Sequence, residues 1–262
     1  MNKFVLYCKS YRGDLERLKN LSISIEEHNK DNLPFYISVP EEDIELVKEN
    51  VPYFTEVIAD ESYCTFNEGW HGQQFVKALF YKTNLSEYYL SLDSDSYFFK
   101  DFYLSDFMVS EDTPYMVMHD NATFFEWWDR YSYKFQFDAR ESYEREYLSI
   151  KEHLGNGGKI QHYGPAPFIW DTKVWKWLDD KYGIHNLFQK HCNELKWYGE
   201  GAIAVGAHFF PCKPLFKTIH YKEQWKWYVN QGYQEKHFKN QYLGMVMQSN
   251  WDAPLRYSEI YS

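Results

Sequence analysis

The sequence predicts an α/β fold with a mainly parallel central sheet flanked by helices. Three observations predict it. Short apolar runs alternate with amphipathic segments through residues 1–100, polar and acidic residues gather where those runs end, and 262 residues suffice for one large domain with a substantial insertion.

Phe4 to Cys8 reads as the first strand, and the polar loop Lys9-Ser10-Tyr11-Arg12-Gly13-Asp14 follows it. Leu15, Leu18, Leu21 and Ile25 then recur at helical spacing. Pro34 to Val39 is a second strand. Pro40 and the acids Glu41, Glu42 and Asp43 suit a helix start, with Ile44, Val47 and Val51 as its buried stripe. Glu56 to Ala59 makes a short third strand ending at Asp60. Trp70 to Tyr81, with Phe75, Ala78 and Leu79 on one side, is the next helix, and Tyr88 to Leu92 is a buried strand too short for a helix. This alternation implies right-handed crossovers, with ligands at the carboxyl ends of the strands. Lys9, Ser10, Tyr11 and Asp14, then Ser38, then Asp93 and Asp95 all fall on that edge, where a nucleotide pocket is expected.

Tyr115 to Met118 is a further strand. Residues 121–154 change character: Phe124, Phe125, Trp127, Trp128, Tyr131, Tyr133, Phe135 and Phe137 lie among charges before the break at Gly155-Asn156-Gly157-Gly158. The stretch reads either as an insertion over the site that helps bind an acceptor, or as an amphipathic helical hairpin. Ile160 to Trp170 returns to strand character through Gly164-Pro165-Ala166-Pro167, and Asp171 can cap a helix bearing Val174, Trp175 and Leu178. Another helix carries Ile184, Leu187, Phe188, His191 and Leu195. Residues 199–207 surround Glu200 with small side chains, which permit close backbone approach and a desolvated carboxylate. Leu215 to Ile219 is a last short strand, and the tail is expected to be helical from Gln231 to Met247.

A net charge of −10 and a pI near 5.5 argue against a nucleic-acid surface or a broad attraction to anionic lipid, since both need clustered positive potential. Cys8, Cys64, Cys192 and Cys212 form no close pair, which fits reduced thiols better than a zinc knuckle or a disulfide framework. The apolar start is too short for a signal segment and nothing reaches the length of a membrane span, so a soluble, cytoplasmic protein is expected. Aromatic residues make up 21% of the chain, more than a core of this size ordinarily uses; Tyr and Trp combine a flat apolar face with a polar handle, which suits stacking on sugars.

The sharpest chemical signal is Leu92-Asp93-Ser94-Asp95 at the end of a hydrophobic strand. In an extended chain, side chains two apart share a face, so Asp93 and Asp95 are expected together with Ser94 opposite. Two carboxylates beside a polar turn suit a hard divalent ion such as Mn2+ or Mg2+, which shares oxygen ligands with substrate phosphates. Solvated turn acids are the plain alternative.

With Lys9-Ser10-Tyr11 and Asp14 after strand one, Gly69-Trp70 with Gln73, Gln74 and Lys77, the Asp93-Ser94-Asp95 motif and the late Ile219-His220-Tyr221-Lys222, the chain resembles the metal-dependent glycosyltransferases of the GT-A (Rossmann-like) fold. Within them it is similar to a bacterial family found with capsule and surface-polysaccharide genes. The segment from Gly164 and Pro165 to Trp170, with the helix after Asp171, is similar to the part that holds the donor sugar in glycogenin-like enzymes.

The resemblance implies a nucleotide-sugar donor, a UDP-sugar foremost, with its base near Lys9 to Tyr11, its ribose near Asp93 and Ser94, and its diphosphate on Mn2+ or Mg2+ held by Asp95 and His220. Lys77 or Lys222 can add positive charge, and Gln73 and Gln74 can meet ribose or sugar hydroxyls. Residues 1–100 would then form a nucleotide-binding half and residues 160–262 an acceptor and donor-sugar half of one domain. Glu200 is expected as the general base, with Glu194 and Asp171 as rivals. The acceptor implied is a saccharide or a lipid-linked saccharide, met in the cytoplasm or in peripheral contact with the inner face of a membrane. A protein that binds or hydrolyses nucleotide-sugars without a dedicated acceptor is the alternative.

Overall fold

The computed structural model of the chain describes residues 1–65, 69–118 and 139–257. The aromatic stretch from Phe124 to Phe137 lies outside the described residues.

The elements follow in chain order: β1 (Asn2–Lys9), α1 (Leu15–His28), β2 (Phe35–Val39), α2 (Ile44–Asn50), β3 (Glu56–Ala59), α3 (Gly69–Leu79) and β4 (Ser86–Asp93). Then come β5 (Ser96–Phe98), β6 (Met108–Ser110), β7 (Thr113–Val117), α4 (Ala139–Leu154), β8 (Phe168–Asp171), α5 (Thr172–Tyr182), α6 (Ile184–Lys190) and α7 (Glu194–Val205). The chain ends with β9 (Phe210–Cys212), β10 (Phe216–Ile219), α8 (Lys222–Asn230), α9 (Glu235–Phe238) and β11 (Gly244–Met247). The central sheet has the order β3-β2-β1-β4-β8. Its first four strands are parallel and β8 is antiparallel to β4, so the expected fold class is the one observed.

Strand alternation sorts the core into two faces. Phe4, Leu6, Cys8, Leu90 and Leu92 point to the side covered by Leu18, Leu21 and Ile25 of α1 and Val47 of α2. Val5, Tyr7, Tyr89 and Trp170 point to the side covered by α3 to α7. That second face absorbs much of the aromatic content: the rings of Tyr89 and Trp170 meet edge-on at 5.4 Å, and those of Trp170 and Trp175 at 5.1 Å. Fully burying one such ring contributes about 1.5–3 kcal/mol. The second half of the stretch read as an insertion belongs to this core, because Tyr147, Ile150 and Leu154 of α4 are buried in it. Cys8, Cys64, Cys192 and Cys212 form no disulfide.

Four expectations change. The helix expected to carry Ile184 through Leu195 is two, α6 and α7, because Asn193 starts a new helix by accepting from the Lys196 N–H at 3.2 Å. Residues 231–247 are not one helix: after the single turn of α9 the chain becomes β11, buried along its length between β10 and β5. Gly244 permits this, since a Cβ there would lie 2.3 Å from the Phe216 ring and from the Tyr97 carbonyl. The expected strand from Ile160 to Trp170 is interrupted, and the strand itself is Phe168–Asp171, because Pro165 and Pro167 have no N–H to give. The small residues around Glu200 lie inside helix α7, where Gly199 sits on the Tyr163 ring and Gly201 on Leu178.

A methyl group at residue 199 would lie 2.2 Å from the Tyr163 ring, which is itself fully buried. Gly199→Ala is therefore expected to destabilise the fold by about 1–3 kcal/mol, read as a melting temperature lower by roughly 2–4 °C per kcal/mol. An unchanged melting temperature would show that the α7–Tyr163 contact is looser than described.

Candidate functional site

The parallel register brings the strand ends together. Lys9 at the end of β1 is level with Ser38 of β2 on one side and Asp93 of β4 on the other, and Ser38 is level with Ile58 of β3. Around this edge a chain of charges runs from α3 to α7. The Lys77 ammonium meets Asp93 Oδ1 at 2.5 Å and Glu194 Oε1 at 3.6 Å. Burial works against that charge, but the two carboxylates outweigh it and hold Lys77 above the ordinary lysine range. Burial pushes the Glu194 carboxyl upward, against the pull of Lys77. Gln74 fixes the start of α7 by accepting from the Glu194 N–H at 3.1 Å, while its own Nε2 is buried without a hydrogen-bond partner. Gln73 lies half-buried on the same helix.

Asp93 and Asp95 do not share a strand face. The chain turns at Ser94 and Asp95 and enters β5, which belongs to a second sheet of order β10-β11-β5. Ser94 donates to Asp14 Oδ2 at 2.9 Å, tying the turn to the start of α1. Asp95 Oδ2 accepts from the Ser249 N–H at 3.0 Å, and Oδ1 is buried with no hydrogen-bond partner. Burial first, and the nearby charge of Asp93 second, push the Asp95 carboxyl from 3.8 up to about 7.

His220 follows β10 at the same end of that sheet. Ile219 is level with Met247, and the Met247 N–H donates to the Asp95 carbonyl at 2.9 Å. One strand therefore separates His220 from Asp95, a backbone spacing of roughly 10 Å. Burial, with a smaller contribution from the Lys217 charge, lowers the imidazole to about 4, against a hydrogen bond with Gln248. It is neutral at pH 7, the form that ligates metal. Among the described residues no three His, Cys, Asp or Glu side chains are drawn together closely enough to hold an ion. Asp93, Asp95 and His220 thus border one edge without forming a closed ligand set. Their chemistry nevertheless fits a hard cation: an unpartnered carboxylate oxygen, a second carboxylate whose charge opposes it, and a neutral imidazole.

On the other flank, the buried Lys9 ammonium pairs with Asp60 at 2.7 Å, and burial raises the Asp60 carboxyl against that pairing. The Tyr7 hydroxyl touches Ser38 Oγ at 2.8 Å and the Tyr63 hydroxyl at 3.0 Å. Ser10 Oγ is buried without a hydrogen-bond partner, and Tyr11 stands exposed, its ring lying over Gly13. Lys222 is exposed at the start of α8, two residues past His220.

Some expected residues lie elsewhere. Glu200 is completely buried, and its carboxylate receives Lys151 at 3.3 Å, Asn156 at 2.8 Å and Tyr163 at 2.9 Å. It ties α4 and the loop after it to α7, and no solvent reaches it. Trp170 and Asp171 are level with Tyr89 and Tyr88, so they lie toward the amino end of β4, far from Asp93. Trp170 is core, and Asp171 caps α5 by accepting from the Lys173 N–H. Because β8 is antiparallel, the segment before it leads back toward Asp93, and a Cβ on Gly164 would approach Leu195, next to Glu194, at 3.1 Å. Gly164 and Pro165 are therefore the part of that segment nearer the site. Sequence reading passed over Asp60, Tyr63, Arg17 and Ser249. Asp60 closed a predicted strand and was open to notice; Ser249 was hidden by the helix expected before it.

The model of a family of unknown function, DUF6492, matches residues 4–233. No curated protein matches the chain in sequence. Mouse xyloside xylosyltransferase 1 in its apo form superimposes with a TM-score of 0.53 at 9% identity, over 97% of this chain and 100% of that one. The glycosyltransferase GlyE of Streptococcus pneumoniae TIGR4 superimposes with a TM-score of 0.48 at 12% identity, over 95% of this chain and 55% of that one. At 9% identity the first likeness is one of fold, the GT-A-like fold of glycosyltransferases. Among the described residues no helix is long and apolar enough to cross a membrane.

The raised Asp95 carboxyl sets a pH dependence. Its contribution to stability is fully present below pH 3.8 and is lost as pH rises through about 7, where burial and Asp93 penalise the charge. In a chelating buffer, Asp95→Asn is expected to lose less stability than the parent between pH 5 and pH 8, a difference of about 3–6 °C in melting temperature. Parallel melting curves across that range would show that Asp95 ionises freely.

Proposed function

The chain belongs to the DUF6492 family, and we propose that this member is a metal-dependent glycosyltransferase that moves a sugar from a nucleotide-sugar to an acceptor hydroxyl. The observation that carries the reading is the buried, unpartnered Asp95 Oδ1 on the same sheet edge as the Asp93–Lys77–Glu194 chain of charges. Ligands of parallel α/β sheets bind at that edge.

The residues that would hold a divalent cation are Asp95, Asp93 and His220, with Mn2+ favoured over Mg2+ by the imidazole. When bound, such a cation supplies Lewis-acid stabilisation of the charge that develops on a departing nucleoside diphosphate. Lys77 stays protonated between its carboxylates and presents a positive charge to the same region. Ser10 Oγ, Gln74 Nε2 and the exposed face of Tyr11 supply polar and stacking contacts for the donor. Glu194 takes the role expected of Glu200. Its side chain is 15% exposed where that of Glu200 is closed to solvent, and burial raises it toward the basicity that deprotonating a hydroxyl needs. The acceptor is a saccharide or lipid-linked saccharide, and surface-polysaccharide assembly is the setting that the sequence resemblance implies.

The test is a panel of nucleotide-sugars with Mn2+, each with and without saccharide acceptors. Transfer that requires metal supports the reading, whereas hydrolysis at the same rate with and without acceptor would replace it by a hydrolase. Within an active pair, Glu194→Gln is expected to lower kcat by about 100-fold or more. Glu200→Gln is expected to destabilise the fold by about 3–5 kcal/mol by leaving Lys151 buried and uncompensated, with activity per folded molecule kept. Full kcat in Glu194→Gln would remove Glu194 from the mechanism.

A further inference from the structure

Arg17 lies on α1, outside every motif that the reading above uses, yet it grips the segment that touches Asp95. Its Nη2 donates to the Ala253 carbonyl at 2.8 Å and its Nη1 to the Met247 carbonyl at 3.3 Å. Met247 in turn donates its N–H to the Asp95 carbonyl at 2.9 Å, and Ser249, inside the loop that Arg17 closes, donates to Asp95 Oδ2 at 3.0 Å. The same segment reaches the other side of the site, where Gln248 N–H and Trp251 Nε1 donate to the carbonyl of Ile219, the residue before His220, at 3.3 and 3.4 Å. One turn thus contacts both flanks of the Asp95–His220 pair.

A guanidinium suits this place because its rigid planar fork holds two N–H donors at a fixed spacing for two carbonyls, a geometry that the rotating ammonium of lysine does not fix. With Oδ2 committed to Ser249, the unpartnered Oδ1 has a fixed direction. A loose turn would let the carboxylate rotate and satisfy both oxygens elsewhere.

We propose that the turn 247–253, clamped to α1 by Arg17, positions Asp95 for divalent-cation binding, and that Arg17 is a positioning residue of that site. The proposal rests on the metal-dependent reading above. Outer partners that orient a ligand typically contribute 10–100-fold to metal affinity.

The experiment measures Mn2+ affinity of the full chain without donor, by electron paramagnetic resonance of free Mn2+, beside a melting curve for each variant. Arg17→Gln is expected to raise the Mn2+ Kd by about 10-fold or more while remaining folded at the assay temperature. Arg17→Lys, which keeps the charge but loses the planar fork, is expected to fall between it and the parent, and carries the test if Arg17→Gln cannot be purified. Asn20→Ala is the control: Asn20 holds Leu255 and Arg256 of the same tail and, among the described residues, makes no hydrogen bond to 247–253, so its Kd should stay at the parent value. Parent-like Kd in both Arg17 variants overturns the proposal, and so does an Asn20→Ala loss equal to that of Arg17→Gln, since general loosening of the tail would then explain both. Absence of Mn2+ binding by the parent overturns the metal reading itself.

Discussion

The ion pair between the buried Lys77 and the half-buried Asp93 is the contact around which the candidate site is arranged. It joins the end of β4 to α3, and through Glu194 it reaches the first turn of α7. Lys77 is the buried partner, so removing it would leave Glu194 without the positive charge it pairs with. The neighbouring α3 and β4 and the distant α7 are therefore held at one point on the sheet edge. The same contact decides what Asp93 can do: one oxygen is committed to Lys77, whereas Asp95 Oδ1 is buried with no hydrogen-bond partner among the described residues.

Asp95 owes its place to a different device. The chain leaves the central sheet at Ser94 and joins a small second sheet, so two residues that a single strand would stack on one face are divided between two sheets. β11 is central to that second sheet and comes from the last part of the chain. The site is accordingly built from residues near 14, 77, 93–95, 194, 220 and 249, with α1 buttressing the turn through Asp14.

Much of this was legible in the sequence, and the limits have physical causes. Alternation of apolar runs with helical stripes predicted β1 to β4 and the edge that carries Lys9, Ser38 and Asp93, because local periodicity reports burial directly. β11 was missed because Gly244 to Met247 is a short apolar run in an aromatic, polar tail, and only the flanking strands β5 and β10, far away in sequence, make it a strand. Glu200 was misread for the opposite reason. Small neighbours do mark a tightly packed acid, but packing alone does not say whether the space beside it holds substrate or, as here, Lys151, Asn156 and Tyr163. Trp170 and Asp171 lie in a strand whose antiparallel direction, invisible locally, carries them away from Asp93.

The account depends most on the claim that a nucleoside diphosphate and a divalent cation meet at Asp95. A crystal structure of the chain soaked with UDP and Mn2+, with anomalous differences collected at the manganese edge, tests it most directly. The account predicts one strong peak about 2.0–2.3 Å from an Asp95 oxygen, with the diphosphate beside it and the base toward Tyr11. Nucleotide bound on that edge with no manganese near Asp95, or bound on another surface altogether, would contradict it.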